Sequence, residues 1–239
     1  MSKLSYSIAG ELFAKYPGYV RGVVLGYELE NCPSPDELIE LLREAEASVR
    51  TRMSIENVAE HPRIKSWREA YRAFGAKPSE FRSSIEAMSR RALRNEPLPS
   101  INALVDIGNV ASLRHLVPVG GHALDDVKQD LALRPAVGDE VFIPFDSDEC
   151  ESPLSGEIIF VEGKTVLTRR WTWRQARHTL TLLSTHAIEF NVDGLPPVER
   201  AEVEQICVEV GEMIHRFCGG RWRYDVLSPD QPSIEIGEV

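Results

Sequence analysis

The chain has 239 residues, 43% of them hydrophobic and 27% charged, and a formal net charge of −10. That length buries a real core as one large domain or two small ones. The acidic balance argues against non-specific binding to nucleic-acid backbones, and no apolar run reaches membrane-spanning length.

The N-terminus lacks a basic-then-apolar leader, so a cytoplasmic protein without membrane attachment is expected. Residues 4–8 and 19–27 read as strands, the second rich in valine and aromatics. Ser34-Pro35-Asp36-Glu37 predicts a helix start, with Ser34 as N-cap, proline at the first helical position and Glu37 closing a capping box. Leu38, Leu41, Leu42, Ala45 and Val49 then mark one buried face. Residues 67–74 predict another helix, ended by Gly75. Ser79 opens a third, with Phe81, Ile85, Met88 and Ala92 inward. Pro97 and Pro99 break the pattern before residues 101–116, an apolar segment interrupted by Asn102, Asp106 and Asn109. Pro118-Val119-Gly120-Gly121 reads as a hinge leading to His122. Short strands follow at 131–133, 140–143, 157–161, 165–168 and 186–192, closed by Pro196-Pro197. Residues 199–217 form a long amphipathic helix with Val203, Ile206, Cys207, Val210 and Ile214 inward, and residues after Ser228 read as frayed. This order predicts an α+β fold without internal repeats.

The four cysteines (Cys32, Cys150, Cys207, Cys218) are scattered, and His178 and His186 stand apart from other ligand types, so neither a metal nor an organic cofactor is expected. No nucleophile elbow or phosphate-binding glycine loop occurs, which speaks against a conventional hydrolase, kinase or dehydrogenase. Ser83, Ser84 and Glu86 sit near a helix start, where a nucleophile would need a histidine that sequence cannot place. Asn102, Asp106 and Asn109, spaced by four and three, share one face on a helix; a polar stripe in an apolar background needs partners, either backbone groups or a ligand. His122 follows two glycines, on backbone able to adopt unusual angles.

Arg169-Arg170-Trp171-Thr172-Trp173-Arg174 interleaves cations and large rings. On an extended segment Arg170, Thr172 and Arg174 would face one way and Trp171 and Trp173 the other. Such a surface can stack a ring and clamp a phosphate or carboxylate. The other reading makes the tryptophans core and the arginines a solvated face. Two basic clusters stand out, Arg82, Arg90, Arg91 and Arg94, then Arg169, Arg170, Arg174 and Arg177. Acidic residues gather after Pro35, at 146–151 and beyond Glu199, so any nucleic-acid contact is expected to be small, local and weak.

Ile101-Asn102-Ala103-Leu104-Val105-Asp106-Ile107-Gly108-Asn109, then Pro118 and His122-Ala123-Leu124-Asp125, resemble the signature of the B3/B4-type domain. In the beta subunit of bacterial phenylalanyl-tRNA synthetase that domain edits mischarged tRNA. The resemblance implies a mixed and antiparallel sheet core flanked by helices, organised as one domain over 1–239. An N-terminal strand and helix extension would cover 1–78, the B3/B4 core 79–193, and a C-terminal helix and tail 194–239. Freestanding members of this group resemble the chain in the 67–75 helix, the Ser83–Glu86 stretch and the arginine–tryptophan segment.

Carried over by position, Asn109 and His122 would be catalytic. Asn102, Asp106, Arg170, Trp171, Trp173, Arg174 and Glu189 would bind substrate. Hydrolysis would use an oriented water and the terminal ribose hydroxyl, with backbone donors for the oxyanion. The resemblance implies a trans-editing hydrolase meeting a tRNA acceptor end and its aminoacyl group. The alternative is a non-catalytic module for an amino-acid-like or other small anionic ligand. No room remains for a synthetase catalytic domain. The chain departs from the family where Arg169-Arg170 replaces small pocket residues, where Glu189 falls two residues early, and where the hinge before His122 is two residues longer.

Overall fold

Eight consecutive buried residues in β2 (Val20–Tyr27) require a strand covered on both faces, inside a sheet and between layers. The computed structural model, which describes residues 4–237, places it there. β2 pairs antiparallel with β8 (Ile188–Gly194) and β9 (Arg221–Leu227), and β3 (Val119–Ala123) completes a four-stranded sheet ordered β3-β8-β2-β9. One face carries α5 (Ala103–His115) and α6 (Arg200–Cys218). Close approach depends on glycines: a Cβ on Gly22 would sit 2.2 Å from Cys207 Sγ, and one on Gly121 2.8 Å from the Phe190 ring.

The second sheet, ordered β10-β1-β4-β5-β6-β7, is mixed. It comprises β1 (Leu4–Ile8), β4 (Leu131–Pro135), β5 (Ile158–Glu162), β6 (Thr165–Arg169), β7 (Arg174–Gln175) and β10 (Ser233–Ile236); β1 runs parallel to β4 and the other pairs are antiparallel. It covers the other face of the four-stranded sheet, with Tyr6 and Phe160 meeting Arg21 and Phe160 meeting His122. The two-residue period of a strand puts Glu189, Asn191 and Asp193 on that inner face, with His122 opposite Glu189 and Arg21 opposite Asp193. The layer between the sheets is therefore polar.

Beside α5 lie α2 (Asp36–Arg52) and α4 (Ser84–Leu93), while α3 (Pro62–Ala73) packs on the 3-10 turn Val58–Glu60. Leu38, Leu42, Ala45 and Val49 bury the face of α2 that the periodicity predicts. The fold is α+β, as the element order implies.

Several local expectations are corrected. Ser34 does not cap α2: no side chain caps that helix, and Ser34 Oγ donates to Asp106 Oδ2 at 2.6 Å. The third helix starts at Ser84 rather than after Ser79, with Ser83 Oγ accepting from the Glu86 N–H. Residues 140–143 make isolated bridges to Glu151 and Thr165 instead of a strand. The expected hinge at 118–121 is largely β3, where Gly120 and Gly121 keep ordinary angles and Gly121 lies flat beneath Phe190. The tail after Ser228 includes β10, paired along β1, and so is not frayed over its described residues.

Candidate functional site

Between β6 and β7 the chain reverses at Arg170-Trp171-Thr172-Trp173. Arg170 (φ 47°) and Trp171 (φ 65°) are both left-handed, and the Thr172 N–H donates to the Arg170 carbonyl at 2.7 Å, closing a γ-turn about Trp171. Such conformations cost on the order of 1–3 kcal/mol each at non-glycine residues and need surrounding contacts to hold them. Trp171 supplies these: its ring packs edge-on against Tyr16, Tyr19 and Trp67 at 4.9, 4.8 and 5.1 Å, and its Nε1–H donates to Tyr19 Oη at 3.3 Å. The segment is thus a turn, not an extended ribbon, and the two-faced ladder of arginines and tryptophans does not form.

The arginines are answered from within. Arg169 makes paired bonds to Glu157 (2.9 and 2.8 Å) and reaches Glu151 at 2.5 Å. Arg174 bonds Asp146 at 2.5 Å and Glu151 at 3.2 Å, while Arg177 bonds Asp148 at 2.5 Å. The acidic run at 146–157 folds over the basic run at 169–177. In the other basic cluster, Arg90 hydrogen-bonds buried Glu86 and Arg82 approaches it, and Arg68 of α3 reaches the same carboxylate. Arg170 differs: its guanidinium carbon lies 3.7 Å from the Phe81 ring centre and 4.4 Å from that of Trp173. Its Nη1 is buried without a hydrogen-bond partner among the described residues, and burial lowers its pKa.

Next to this turn a cavity of about 630 Å³ opens between α4, α5, β3 and β8. Leu104, Val105, Phe190, Trp171 and Trp173 give it apolar walls, and Asn109, His122, Thr168, Gln175 and Asn191 bring hydrogen-bonding groups. Arg174 is the one charged side chain among the described lining residues, and both its terminal nitrogens are ion-paired. Burial, with a smaller contribution from nearby Arg21, lowers His122 to about 3, so its ring is neutral at physiological pH. The surface of the cavity is electrically quiet.

Behind His122 lies the polar inter-sheet layer. Asp193 takes Arg21 in two bonds of 2.8 and 2.9 Å and the Tyr19 hydroxyl at 2.6 Å, and Arg21 Nη1 donates to Tyr6 Oη at 2.7 Å. Glu189, fully buried beside this pair, is raised to about 8 chiefly by burial, so it carries its proton at neutral pH. Asn191 donates to its Oε1 at 3.1 Å, and its Oε2 has no partner among the described residues.

The structure separates the residues singled out by sequence into three groups. Asn109, His122, Trp171, Trp173 and Arg174 line the cavity. Glu189 and Arg170 stand behind the walls, next to Asn191 and Trp173 respectively. Asn102 and Asp106 are not in the lining: Asn102 caps α5 through Val105 N–H and donates to the Thr181 carbonyl, while Asp106 accepts from Ser34, Ser100 and the Ile101 N–H. Their polarity organises the entrance to α5, so the shared ligand-facing stripe reduces to Asn109. Thr168, Gln175 and Asn191 were not anticipated; only the strand register that sets them around His122 marks them out. Among the described residues no cluster of histidine, cysteine, aspartate and glutamate could hold a metal, and no helix is long and apolar enough to cross a membrane.

An N-terminal fragment of the phenylalanyl-tRNA synthetase beta-subunit from Pyrococcus horikoshii is similar to this chain, with a TM-score of 0.46 and 12% identity. The match covers 100% of this chain and 55% of that one, so the chain spans about half the fragment's length. No curated protein sequence matches it. Residues 66–219, from α3 to the end of α6 and more than half of the chain, match the B3/4 domain. The chain therefore belongs to the B3/4 domain family.

Proposed function

We propose that this protein is a freestanding trans-editing hydrolase that removes a mischarged amino acid from tRNA by hydrolysing its ester. The observation that carries this reading is the electrically quiet cavity lying within the B3/4 region, with hydrogen-bonding groups but no unanswered charge on its lining. An acyl ester presents an uncharged carbonyl and needs only oriented dipoles and a water. A small anion would need a cation to meet it, and Arg174 is already held by Asp146 and Glu151. That argues against the alternative of a module for free anionic ligands. In this reading Asn109, whose side chain lines the cavity without an internal hydrogen bond among the described residues, orients the ester and water, and neutral His122 holds the polar groups beside it in place. The terminal ribose hydroxyl assists, and no protein nucleophile is required. With a net charge of −10, contact with the acceptor end is local.

The test is a deacylation panel of correctly and incorrectly charged tRNAs with wild type, Asn109→Ala and His122→Ala. Selective loss of one mischarged species, abolished in either variant while RNA binding persists, is the expected result. Uniform inertness across the panel would sink the hydrolase reading and favour a binding module.

A further inference from the structure

His122 is held by three groups whose chemistry leaves one consistent arrangement of protons. Its Nδ1 lies 2.7 Å from Thr179 Oγ1 and 3.4 Å from Gln175 Nε2, and its Nε2 lies 3.0 Å from Thr168 Oγ1. The Gln175 amide nitrogen already donates to the Gly121 carbonyl at 2.9 Å and the Thr179 carbonyl at 3.2 Å, which fixes the amide so that it turns N–H groups, not oxygen, toward this corner. A proton on Nδ1 would go to Thr179 Oγ1 at 2.7 Å, with the amide N–H groups of Gln175 facing it at 3.4 Å. It would also leave the Thr179 hydroxyl proton without an acceptor among the described residues, on a side chain 1% exposed. With the proton on Nε2 both ring nitrogens and Thr179 are satisfied: Thr179 donates to Nδ1, and Nε2–H donates to Thr168 Oγ1, leaving only the Thr168 hydroxyl proton free toward the cavity.

Thr168 is the end of this chain of bonds. Its oxygen accepts from His122, it has no other side-chain hydrogen bond among the described residues, and it lines the cavity. We propose that the Thr168 hydroxyl is a substrate-contacting hydrogen-bond donor, directed into the cavity at an uncharged acceptor oxygen of the bound acyl group, and that Thr179 and Gln175 position it by fixing the tautomer of His122. This deepens, and rests on, the hydrolase reading for the identity of the ligand. The arrangement of protons does not depend on that reading. His122 acts here as a dipole that turns Thr168 outward rather than as a base, in keeping with a ring that stays neutral far below physiological pH. Thr168 accordingly belongs to the site, although it lies outside the helix signature around Asn102 to Asn109.

Two measurements on the full chain test the proposal. The first is nitrogen-15 NMR of histidine-labelled wild-type protein, in which His122 is expected as a neutral ring protonated at Nε2 from pH 5 to pH 8; an Nδ1–H signal overturns the proposal whatever the protein does. The second compares Thr168→Val with Thr168→Ser, using hydrolysis of whichever charged tRNA the panel identifies and binding of amide-linked aminoacyl-adenosines, which cannot be hydrolysed. Thr168→Val is expected to lose about tenfold or more in kcat/KM, while Thr168→Ser stays within about threefold of wild type. Folding of both variants is checked by their Tm. Equal activity of a folded Thr168→Val overturns the donor role. If no charged tRNA is hydrolysed and no analogue binds, the hydrolase reading fails and with it the acyl ligand. The NMR result then decides the remaining claim, with Nε2–H sustaining the outward hydroxyl and Nδ1–H refuting it.

Discussion

Arg21 and Arg170 are both buried guanidinium groups a short distance from the same cavity, and they are accommodated in opposite ways. Arg21 is met by charge and hydrogen bonds: two bonds to Asp193, one to Tyr6, and the face of Phe160 at 5.5 Å. Arg170 is met mainly by rings, clasped between Phe81 and Trp173, with one nitrogen unpartnered among the described residues and its nearest carboxylate, Glu157, at 3.6 Å. Glu157 already holds Arg169 in two bonds. A low dielectric strengthens a fully satisfied ion pair and penalises an incomplete one, so the first arrangement clamps two sheets together while the second relies on its rings to hold a turn. Burial and positive charge alone would have described both residues identically.

The comparison can be broken most forcefully at Arg21. Arg21→Met leaves Asp193 ionised and buried, and should cost about 3–5 kcal/mol in denaturant unfolding. Arg170→Met removes a cation that no carboxylate fully answers, and its apolar replacement still fills the space between two rings. A loss of about 1–2 kcal/mol is expected, with a change in tryptophan fluorescence reporting displacement of Trp173. Equal costs for the two substitutions would refute the distinction.

The inter-sheet layer adds a pH signature. Glu189, raised from 4.5 to about 8, keeps its proton in the folded chain after the unfolded chain has lost it, so its contribution is fully present below about 4.5 and lost as pH rises through 8. His122, lowered from 6.5 to about 3, acts oppositely: the unfolded chain binds a proton that the folded chain refuses, and stability falls as pH drops from 6.5 toward 3. Arg21, Asp193 and Tyr6 share the layer, with the Tyr6 hydroxyl raised by burial beyond the working range. Together Glu189 and His122 predict a Tm that is level between roughly pH 4.5 and 6.5 and declines on either side. Glu189→Gln should remove the alkaline decline and, with the His122 contribution left alone, turn the level stretch into a rise toward pH 6.5. A profile unchanged by that variant would show that Glu189 does not govern it. The smallest expected effect is at Arg174, whose pairs reach solvent: Arg174→Ala should shift stability by no more than about 1 kcal/mol.

Much of this architecture is legible in the residues. The apolar period of α2, the valine-rich run of β2 and the inward face of α6 can all be read from spacing, because burial against a partner layer leaves a repeat that needs no knowledge of the partner. The turn at Arg170-Trp171 could not be read that way. Glycine is the usual marker of left-handed backbone, and here two bulky residues adopt it because Tyr16, Tyr19 and Trp67 hold the Trp171 ring. Ser34 misled for a related reason. Its sequence context is that of a cap, yet a buried carboxylate 72 positions away is the stronger acceptor. The cavity was half visible: Asn109 and His122 lie in the two stretches of the signature and Trp171, Trp173 and Arg174 in the arginine–tryptophan run, whereas Thr168, Gln175 and Asn191 reach it only through pairing across β3, β6, β7 and β8.

The arrangement of strands also has a temporal side. β2 lies between β8 and β9, and β1 between β4 and β10, so the first strands made must wait for the last. At synthesis rates of about 5–20 residues per second, the gap between Arg21 and its partner Leu227 amounts to roughly ten seconds or more. During that interval β1 and β2 each lack at least one partner strand, and their exposed edges are open to association with other chains. A ribosome-bound chain halted at Cys218, before β9 and β10, should therefore remain protease-sensitive and bound by chaperones, and protection should come only once both strands have emerged.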